Sequence, residues 1–406
     1  MDSLITAAAR ALATGDPLGA LKRVALRDDA PALALRGIAM AQLGDLARAK
    51  ALLKSAGRAF SPREAVARAR CVVAEAEIAL VSRDLSWSPN ALESAGAVLA
   101  EAGDWPNAAN AANLVARRLL LIGHVDEARR VLSGVDLTRL PPATRAIWHL
   151  VMAGIAVRRL QSEPARAAFA RANEAAREAR IPSLITEVEV AARILDQPAA
   201  RLVADGREQT LTIAGVEQVL ESADLVVDAS RNVVRQDGAV AMLATRPVLF
   251  VLVRELAEAW PRDVPRDRLI ARAFRGKEAD ESHRARLRVE IGRLRAELAG
   301  LADITATKTG FVLRSRSARK VVVLAPPMED RHASILALLA DGEAWASSAL
   351  ALALSTSPRT VQRALEQLAQ SGKVQSFGRG RSLRWITTPV PGFPTALLLP
   401  GPLPGD

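Results

Sequence analysis

The chain has 406 residues, of which 50% are hydrophobic, so it can build several packed cores. Its single cysteine excludes an internal disulfide framework, and no apolar run approaches the roughly 18 residues that a membrane span needs. A formal net charge of +11 at pH 7 favours a polyanionic partner, and these features together predict a cytoplasmic, nucleoid-associated protein without a secretion signal.

Residues 1–200 are rich in Ala and Leu and poor in β-branched side chains, a composition typical of helices. In a recurring phrase, an apolar stretch is followed by Gly, a polar residue and a second helix that opens with small residues. Gly permits a left-handed turn between the two helices, and an Asp after it can cap the second. The phrase resembles tetratricopeptide-type repeats, in which helix hairpins stack into a solenoid. It stands at 13–24, 42–53, 101–112 and 121–132, with a weaker copy at 159–170.

A solenoid of this kind presents a concave groove, which binds a peptide or a protein partner. The alternative that the sequence leaves open is a spacer or dimerisation scaffold without a ligand, and a homodimer fits either role. Trp87, Trp105 and Trp148 are expected to pack within or between repeats rather than to line the groove. His124 and His149 stand in no metal-ligand spacing and are expected to be structural.

Residues 201–318 form the second predicted domain, because the pattern changes there from helical to alternating. Three short alternating runs separated by turn residues at 224–243 are typical of hairpin strands. After them we expect a helix with Thr245 as its N-cap, helices at 265–274 and 281–298, and a hairpin at 304–314. Residues 245–320 carry 18 basic and 10 acidic side chains, the largest basic surplus in the chain.

This order of elements, with the segments MLATRPVLFVLVREL, VPRDRLIARAFRG, LRVEIGRLRAEL and TGFVL, resembles the DNA-binding domain of the OmpR/PhoB response-regulator family over residues 222–315. The resemblance implies a winged helix-turn-helix. In that family the third helix enters the major groove and the hairpin, called the wing, reaches the flanking minor groove.

The resemblance also assigns roles by position. It implies that Val289, Gly292 and Arg293 face bases, and that Arg288 and Arg295 face phosphates. Arginine suits both roles, because its planar fork pairs with guanine or with phosphate through two hydrogen bonds. The remaining candidates for DNA contact in this domain are two arginines of the third helix and two residues of the wing: Arg284, Arg286, Thr307 and Lys308.

Residues 319–388 form the third predicted domain, which repeats three helices and a hairpin without a leading sheet. Its last helix begins with Ser357 as N-cap and Pro358 in the first turn. The domain resembles the winged helix-turn-helix of many bacterial repressors. Its candidate DNA contacts lie at the start of that helix and on the hairpin: Arg359, Thr360, Gln362, Arg363, Arg379, Arg381 and Arg384. Residues 389–406 form a Pro-rich tail that cannot be a helix or a central strand, and the sequence leaves open whether it is disordered or docks on the body.

The predicted fold is therefore mainly α, a solenoid of helix hairpins, followed by two α+β winged helix-turn-helix domains. The predicted function is that of a bacterial transcriptional regulator that binds double-stranded DNA, with repeats that mediate oligomerisation or sense a partner or peptide. The alternative is a protein-interaction scaffold whose winged helices bind protein. The sequence has no phosphate-binding loop, zinc-ligand spacing or nucleophile signature, so neither enzymatic activity nor a cofactor or metal is expected.

Overall fold

A computed structural model describes residues 2–82, 84–85, 87–274, 281–316, 319–327, 332–339, 343–378, 380 and 383–387. Over these residues the chain is mainly α-helical, with eighteen α-helices and eleven short strands, which confirms the predicted mainly α class. None of the described helices combines the length and apolarity that crossing a membrane requires.

The described residues divide into two compact units. The first unit takes its residues from Met1–Arg159, Glu163–Ile194 and His332–Asp406. The second takes them from Leu160–Ser162 and Leu195–Arg331. The C-terminal helices therefore belong to the same unit as the N-terminal ones, although more than 130 residues of sequence separate the two parts of that unit.

Eleven helices make up the N-terminal part of the first unit. From the first to the ninth, consecutive helices pack against each other, as the recurring phrase predicts. They are α1 (Ser3–Ala13), α2 (Pro17–Val24), α3 (Ala30–Gln42), α4 (Leu46–Ala59), α5 (Ala65–Val81), α6 (Pro89–Glu101), α7 (Trp105–Leu121), α8 (Val125–Ser133), α9 (Pro142–Arg158), α10 (Ser162–Ala179) and α11 (Pro182–Ala192).

The turns between these helices follow the predicted chemistry. Gly44 and Gly103 adopt φ values of 86° and 77°, in the left-handed region that glycine tolerates. The next residue caps the following helix. Asp45 accepts a hydrogen bond from Arg48 N at 3.1 Å at the start of α4, and Asp104 accepts one from Asn107 N at the start of α7. The glycine-aspartate pair of the phrase therefore ends one helix and begins the next.

The C-terminal part of the first unit consists of α16 (Ala333–Leu339), α17 (Ser347–Ala353), α18 (Pro358–Gln370), β10 (Val374–Phe377) and β11 (Arg384–Thr387). Trp345 lies at the centre of its core, with none of its surface exposed. One continuous cluster of buried apolar side chains contains this core and also the inner residues of α5, α6 and α7, such as Leu80, Leu99 and Leu114. The C-terminal helices therefore share a hydrophobic core with the helical hairpins.

The second unit is built on a six-stranded sheet with the order β2-β1-β9-β3-β4-β5. Its strands are β1 (Ala200–Ala204), β2 (Arg207–Leu211), β3 (Leu225–Asp228), β4 (Val233–Gln236), β5 (Ala239–Met242) and β9 (Val321–Ala325), with α12 (Ile213–Glu221) between β2 and β3. β9 is fully buried, antiparallel to β1 and parallel to β3. It lies beyond the domain boundary predicted at residue 318, so the sheet of this unit extends to Ala325.

One face of the sheet carries three helices and a second, small sheet. These elements are α13 (Pro247–Glu258), β6 (Val264–Pro265), α14 (Arg266–Phe274), α15 (Glu281–Glu297), β7 (Ala302–Ala306) and β8 (Gly310–Ser315). β8 pairs with both β6 and β7. Leu252, Leu256, Leu294 and Leu298 are fully buried at their common core. The predicted N-cap at Thr245 is wrong, because Arg246 occupies the cap of α13 and no side chain bonds its first amides.

Candidate nucleic-acid interface

Helix α15 carries the densest run of arginines in the second unit. Leu287, Ile291 and Leu294 form its buried stripe, and this stripe fixes which side chains point outward. The other side of the helix bears Val289, which is 54% exposed, and Gly292, where an added Cβ would meet open space. The centre of the exposed surface is therefore shallow, and arginines surround it, so another backbone can approach the helix closely.

Three of these arginines are held by carboxylates of the same helix. Glu281 lies 3.8 Å from Arg284 Nη1 and 3.4 Å from Arg288 Nη2, and Arg293 Nη1 donates to Glu290 Oε1 at 3.0 Å. Arg288 and Arg293 keep 70% and 62% of their side-chain surface exposed. The two Glu281 pairs are exposed on both sides and contribute only about 0–1 kcal/mol, so these guanidinium groups can exchange their partner for a phosphate or a base edge. The Glu290 side chain that pairs with Arg293 is only 13% exposed.

Two further arginines of α15 also pack against neighbouring elements. The guanidinium carbon of Arg286 lies 4.5 Å from the centre of the Phe274 ring. Arg295 Nε donates to the carbonyl oxygen of Ile304 at 2.8 Å and so joins α15 to strand β7. Arg295, predicted as a phosphate contact, therefore uses one of its nitrogens to fix the hairpin beside the helix.

The tip of the β7–β8 hairpin, residues 307–310, contains the two predicted wing contacts. Lys308 is exposed. The hydroxyl of Thr307 is already bonded, because it donates to Asp263 Oδ2 at 2.6 Å and accepts from Gly310 N at 2.8 Å. Hydrogen bonds from Thr307 and Thr309 hold the pKa of the Asp263 carboxyl below its ordinary value. Lys308 is thus the predicted wing residue whose side chain is presented to solvent.

Asp263 and Arg266 flank β6 and hold this tip, and neither stands in a sequence motif that predicts this role. Arg266 Nη1 donates to Lys308 O at 3.1 Å, and its Nη2 donates to Thr307 O at 3.0 Å. These contacts span more than forty residues of sequence, and the pairing of β6 with β8 brings them about. The only local signal is the tripeptide PRD, which occurs on each side of Val264, at 261–263 and at 265–267.

The start of helix α18 presents the second predicted contact surface, in the first unit. Ser357 caps the helix as predicted, by accepting from Thr360 N at 3.1 Å. Arg359 and Arg363 are exposed, and neither has a hydrogen-bond or ion-pair partner in the described part of the chain. Gln362 is half-buried between Ser347 and Glu366, at 3.0 Å from each. The two arginines are therefore the available donors of this helix.

The β10–β11 hairpin beside α18 contributes Arg384, whose Nη1 donates to the neighbouring Leu383 carbonyl at 3.1 Å. Arg379 and Arg381, also predicted as DNA contacts, lie outside the described residues. So does the predicted Pro-rich tail. The structure accordingly brings together Arg359, Thr360 and Arg363 on one helix.

A cleft of about 440 Å³ opens in the helical part of the first unit. Its walls are formed mostly by Ala, Gly and Val residues of α6, α7, α8 and the segment after α8. Trp105 lines it and is 39% exposed, so this side chain is not a buried core residue. Arg139 lies 4.6 Å above the Trp105 ring and pairs with Asp136 at 3.1 Å. An apolar cleft with one aromatic wall and a polar rim suits a small apolar ligand or peptide segment.

Comparisons with known protein families, with curated proteins and with solved structures find no match for this chain. Among the described residues, no group of three His, Cys, Asp or Glu side chains is arranged to hold a metal ion. The functional assignment therefore depends on the geometry and charge of the two basic surfaces and the cleft.

Proposed function

We propose that the chain is a sequence-specific DNA-binding transcriptional regulator. In this proposal α13, α14, α15 and the β7–β8 hairpin form an OmpR/PhoB-like winged helix-turn-helix, with α15 as the helix that enters the major groove. The observation that carries the proposal is the outward surface of α15. It combines exposed Arg288 and Arg293 with a shallow centre at Gly292, in the segment with the largest basic surplus of the chain.

The second module of the proposal consists of α16, α17, α18 and the β10–β11 hairpin. Arg359 and Arg363, which have no partner among the described residues, lie at the start of a capped helix and support its role, because this position in a helix-turn-helix contacts phosphates and base edges. Two such modules in one chain would read a composite site. The shallow centre of α15 favours recognition by DNA shape and backbone at the first half of that site.

The helical hairpins have the sensing role in the proposal. The cleft beside Trp105 would take a small apolar ligand or the apolar segment of a peptide. Ala97 is exposed and lines this cleft, so Ala97→Trp fills it without disturbing the core. We expect this variant to bind operator DNA as the wild type does and to lose the regulatory response in the cell. A normal response would remove the cleft from the proposal.

Genome-wide binding of the tagged full-length chain tests DNA recognition directly. Sharp peaks that share one motif are expected, and the double variant Arg288→Ala/Arg293→Ala should lose one part of that motif. The variant Arg359→Ala/Arg363→Ala should lose another. Arg207→Ala, in strand β2 of the sheet, is the matched control that removes an exposed arginine and should leave the peaks unchanged. Diffuse or absent enrichment of the wild type would overturn the proposal.

The salt dependence of binding separates DNA recognition from the alternative of a protein-interaction scaffold. Each phosphate contact releases counterions, so the slope of log K against log salt should become less steep by about 1 for each lost arginine that touches a phosphate. An arginine that reads a base should instead cost about 1–3 kcal/mol at the matching position alone. Binding to duplex DNA that is weak and independent of salt would favour the scaffold.

A further inference from the structure

All four backbone carbonyl oxygens of the β7–β8 hairpin tip already accept hydrogen bonds from the protein. Arg266 supplies three of these bonds, from Nη2 to Thr307 O at 3.0 Å, from Nη1 to Lys308 O at 3.1 Å and from its amide to Thr309 O at 3.3 Å. Thr307 N donates to the fourth, Gly310 O, at 3.0 Å. The acceptors of the tip are therefore turned toward the protein.

The hydroxyl groups of the tip are also engaged inward. Thr307 Oγ1 donates to Asp263 Oδ2 at 2.6 Å, and Thr309 Oγ1 donates to the same oxygen. Asp263 is anchored because it directly precedes β6, which pairs with β8. That pairing is close: a Cβ on Gly310 would stand 1.7 Å from Val264 O. The tip is consequently fixed from two sides, by a guanidinium and by a carboxylate.

Among the described residues, three donors of this tip are left without a partner. Within the described residues, the Lys308 ammonium and the backbone amides of Lys308 and Thr309 have no hydrogen-bond partner. Lys308 and Thr309 are both exposed. A short loop whose amides and ammonium are available, while its carbonyls are not, is suited to an anionic oxygen.

We propose that Asp263 and Arg266 are positioning residues that hold residues 307–310 as a donor-only tip, and that this tip binds a phosphodiester oxygen of DNA. Lys308 supplies the ammonium, and the amides of Lys308 and Thr309 supply two further donors. The inference rests on the proposed DNA-binding function and deepens it by naming the ligand group of the wing. It also changes the role of Thr307, which orders the tip through Asp263 instead of contacting DNA.

Asp263 offers a test in which two explanations predict opposite changes in the affinity for DNA. If its carboxylate were merely a negative charge beside DNA, Asp263→Asn would tighten binding by removing repulsion. If it orders the tip, the same variant weakens binding, because an amide cannot accept both hydroxyl hydrogen bonds as strongly. Asp303→Asn is the matched control, since it removes a carboxylate of the same hairpin that pairs with Arg316, away from the tip.

The measurement is the affinity of the full-length protein for operator duplex as a function of salt. Lys308→Ala should weaken binding by about tenfold near 0.1 M salt and reduce the salt slope by about 1. Asp263→Asn and Arg266→Lys should each approach this loss, whereas Asp303→Asn should not weaken binding. Arg266→Lys keeps the charge but lacks the planar fork whose two nitrogens reach separate carbonyls, so it separates positioning from direct phosphate contact.

A double-mutant cycle completes the test. Once Lys308 is alanine, Arg266→Lys should cost less than it does in the wild type, because part of the contact that it positions is gone. Full additivity, or wild-type affinity of Arg266→Lys and Asp263→Asn, would overturn the inference while leaving the proposed function intact. A wild-type protein that does not bind duplex DNA would instead defeat the proposed function. Unchanged thermal unfolding of each variant excludes general misfolding.

Discussion

Glu77 is a carboxyl group buried inside helix α5, where Asn110 Nδ2 lies 3.4 Å from its Oε2. Burial raises its pKa from 4.5 to about 8; nearby Arg117 and the Asn110 hydrogen bond oppose this rise, and Glu187 adds to it. Between these two values the folded protein holds a proton that the unfolded chain has released. Stability should therefore fall as the pH rises from about 5 to about 8.

Replacing Glu77 with Gln removes this titration and keeps an acceptor for Asn110. We expect the stability of Glu77→Gln relative to the wild type to increase with pH by up to about 1 kcal/mol per unit in this window. Urea unfolding of both proteins at several pH values measures the difference. Parallel stability profiles for the two proteins would contradict a raised pKa at this position.

At the scale of single elements, the aspartate caps of the repeats are not equivalent. Asp45 is exposed, and among the described residues its carboxylate accepts one bond, from Arg48 N. Asp104 keeps 3% of its side-chain surface exposed and accepts from Arg70 Nε at 2.7 Å and from the Asn107 amide group at 2.9 Å. We expect Asp45→Ala to cost about 1 kcal/mol, as a lost cap does. Asp104→Ala should cost about 3 kcal/mol, because it also leaves Arg70 without its partner. Similar losses in thermal unfolding of the two variants would argue against this difference.

Substitution of alanine for two glycines of the second unit should change its stability in opposite directions. Gly292 lies inside helix α15 with open space around it, so Gly292→Ala should stabilise the unit by about 0.5–1 kcal/mol through helix propensity. A Cβ on Gly310 would collide with Val264 O, so Gly310→Ala should destabilise by about 3 kcal/mol or more by separating β6 from β8. Denaturant unfolding of both variants checks the pair. A stabilised Gly310→Ala would mean that the two strands do not pair this closely.

The elements that the sequence predicts well are those with local signals. The buried stripe of α15, with Leu287, Ile291 and Leu294, follows from helical spacing, and the cap at Ser357 follows from the residue type before Pro358. The sequence pattern does not place strand β9 in the sheet of the second unit, because VVVLA has the composition of any buried strand and its neighbours β1 and β3 lie about a hundred residues away in sequence. The role of Asp263 cannot be predicted for the same reason, because it depends on the pairing of β6 with β8, which are more than forty residues apart in sequence.

At the scale of the whole molecule, segments that are far apart in sequence share one hydrophobic core. The C-terminal helices α16, α17 and α18 belong to the same buried cluster as α5, α6 and α7, whereas the residues between the two parts form a unit of their own. Trp345 and Leu350, which are fully buried, lie in that shared cluster. The C-terminal segment is also small, and domains of about 60 residues are marginally stable without additional burial.

This organisation predicts how fragments of the chain behave. Residues 195–331 should unfold cooperatively when expressed alone, because their core is closed within the unit. Residues 332–387 alone should bind a hydrophobic dye and unfold over a broad range, since they lack the apolar side chains of α5–α7. Addition of residues 1–194 in trans should suppress dye binding and sharpen the transition. A sharp, dye-free transition of the isolated C-terminal fragment would mean that its core is complete without the hairpins and that the two parts of the first unit are stable independently.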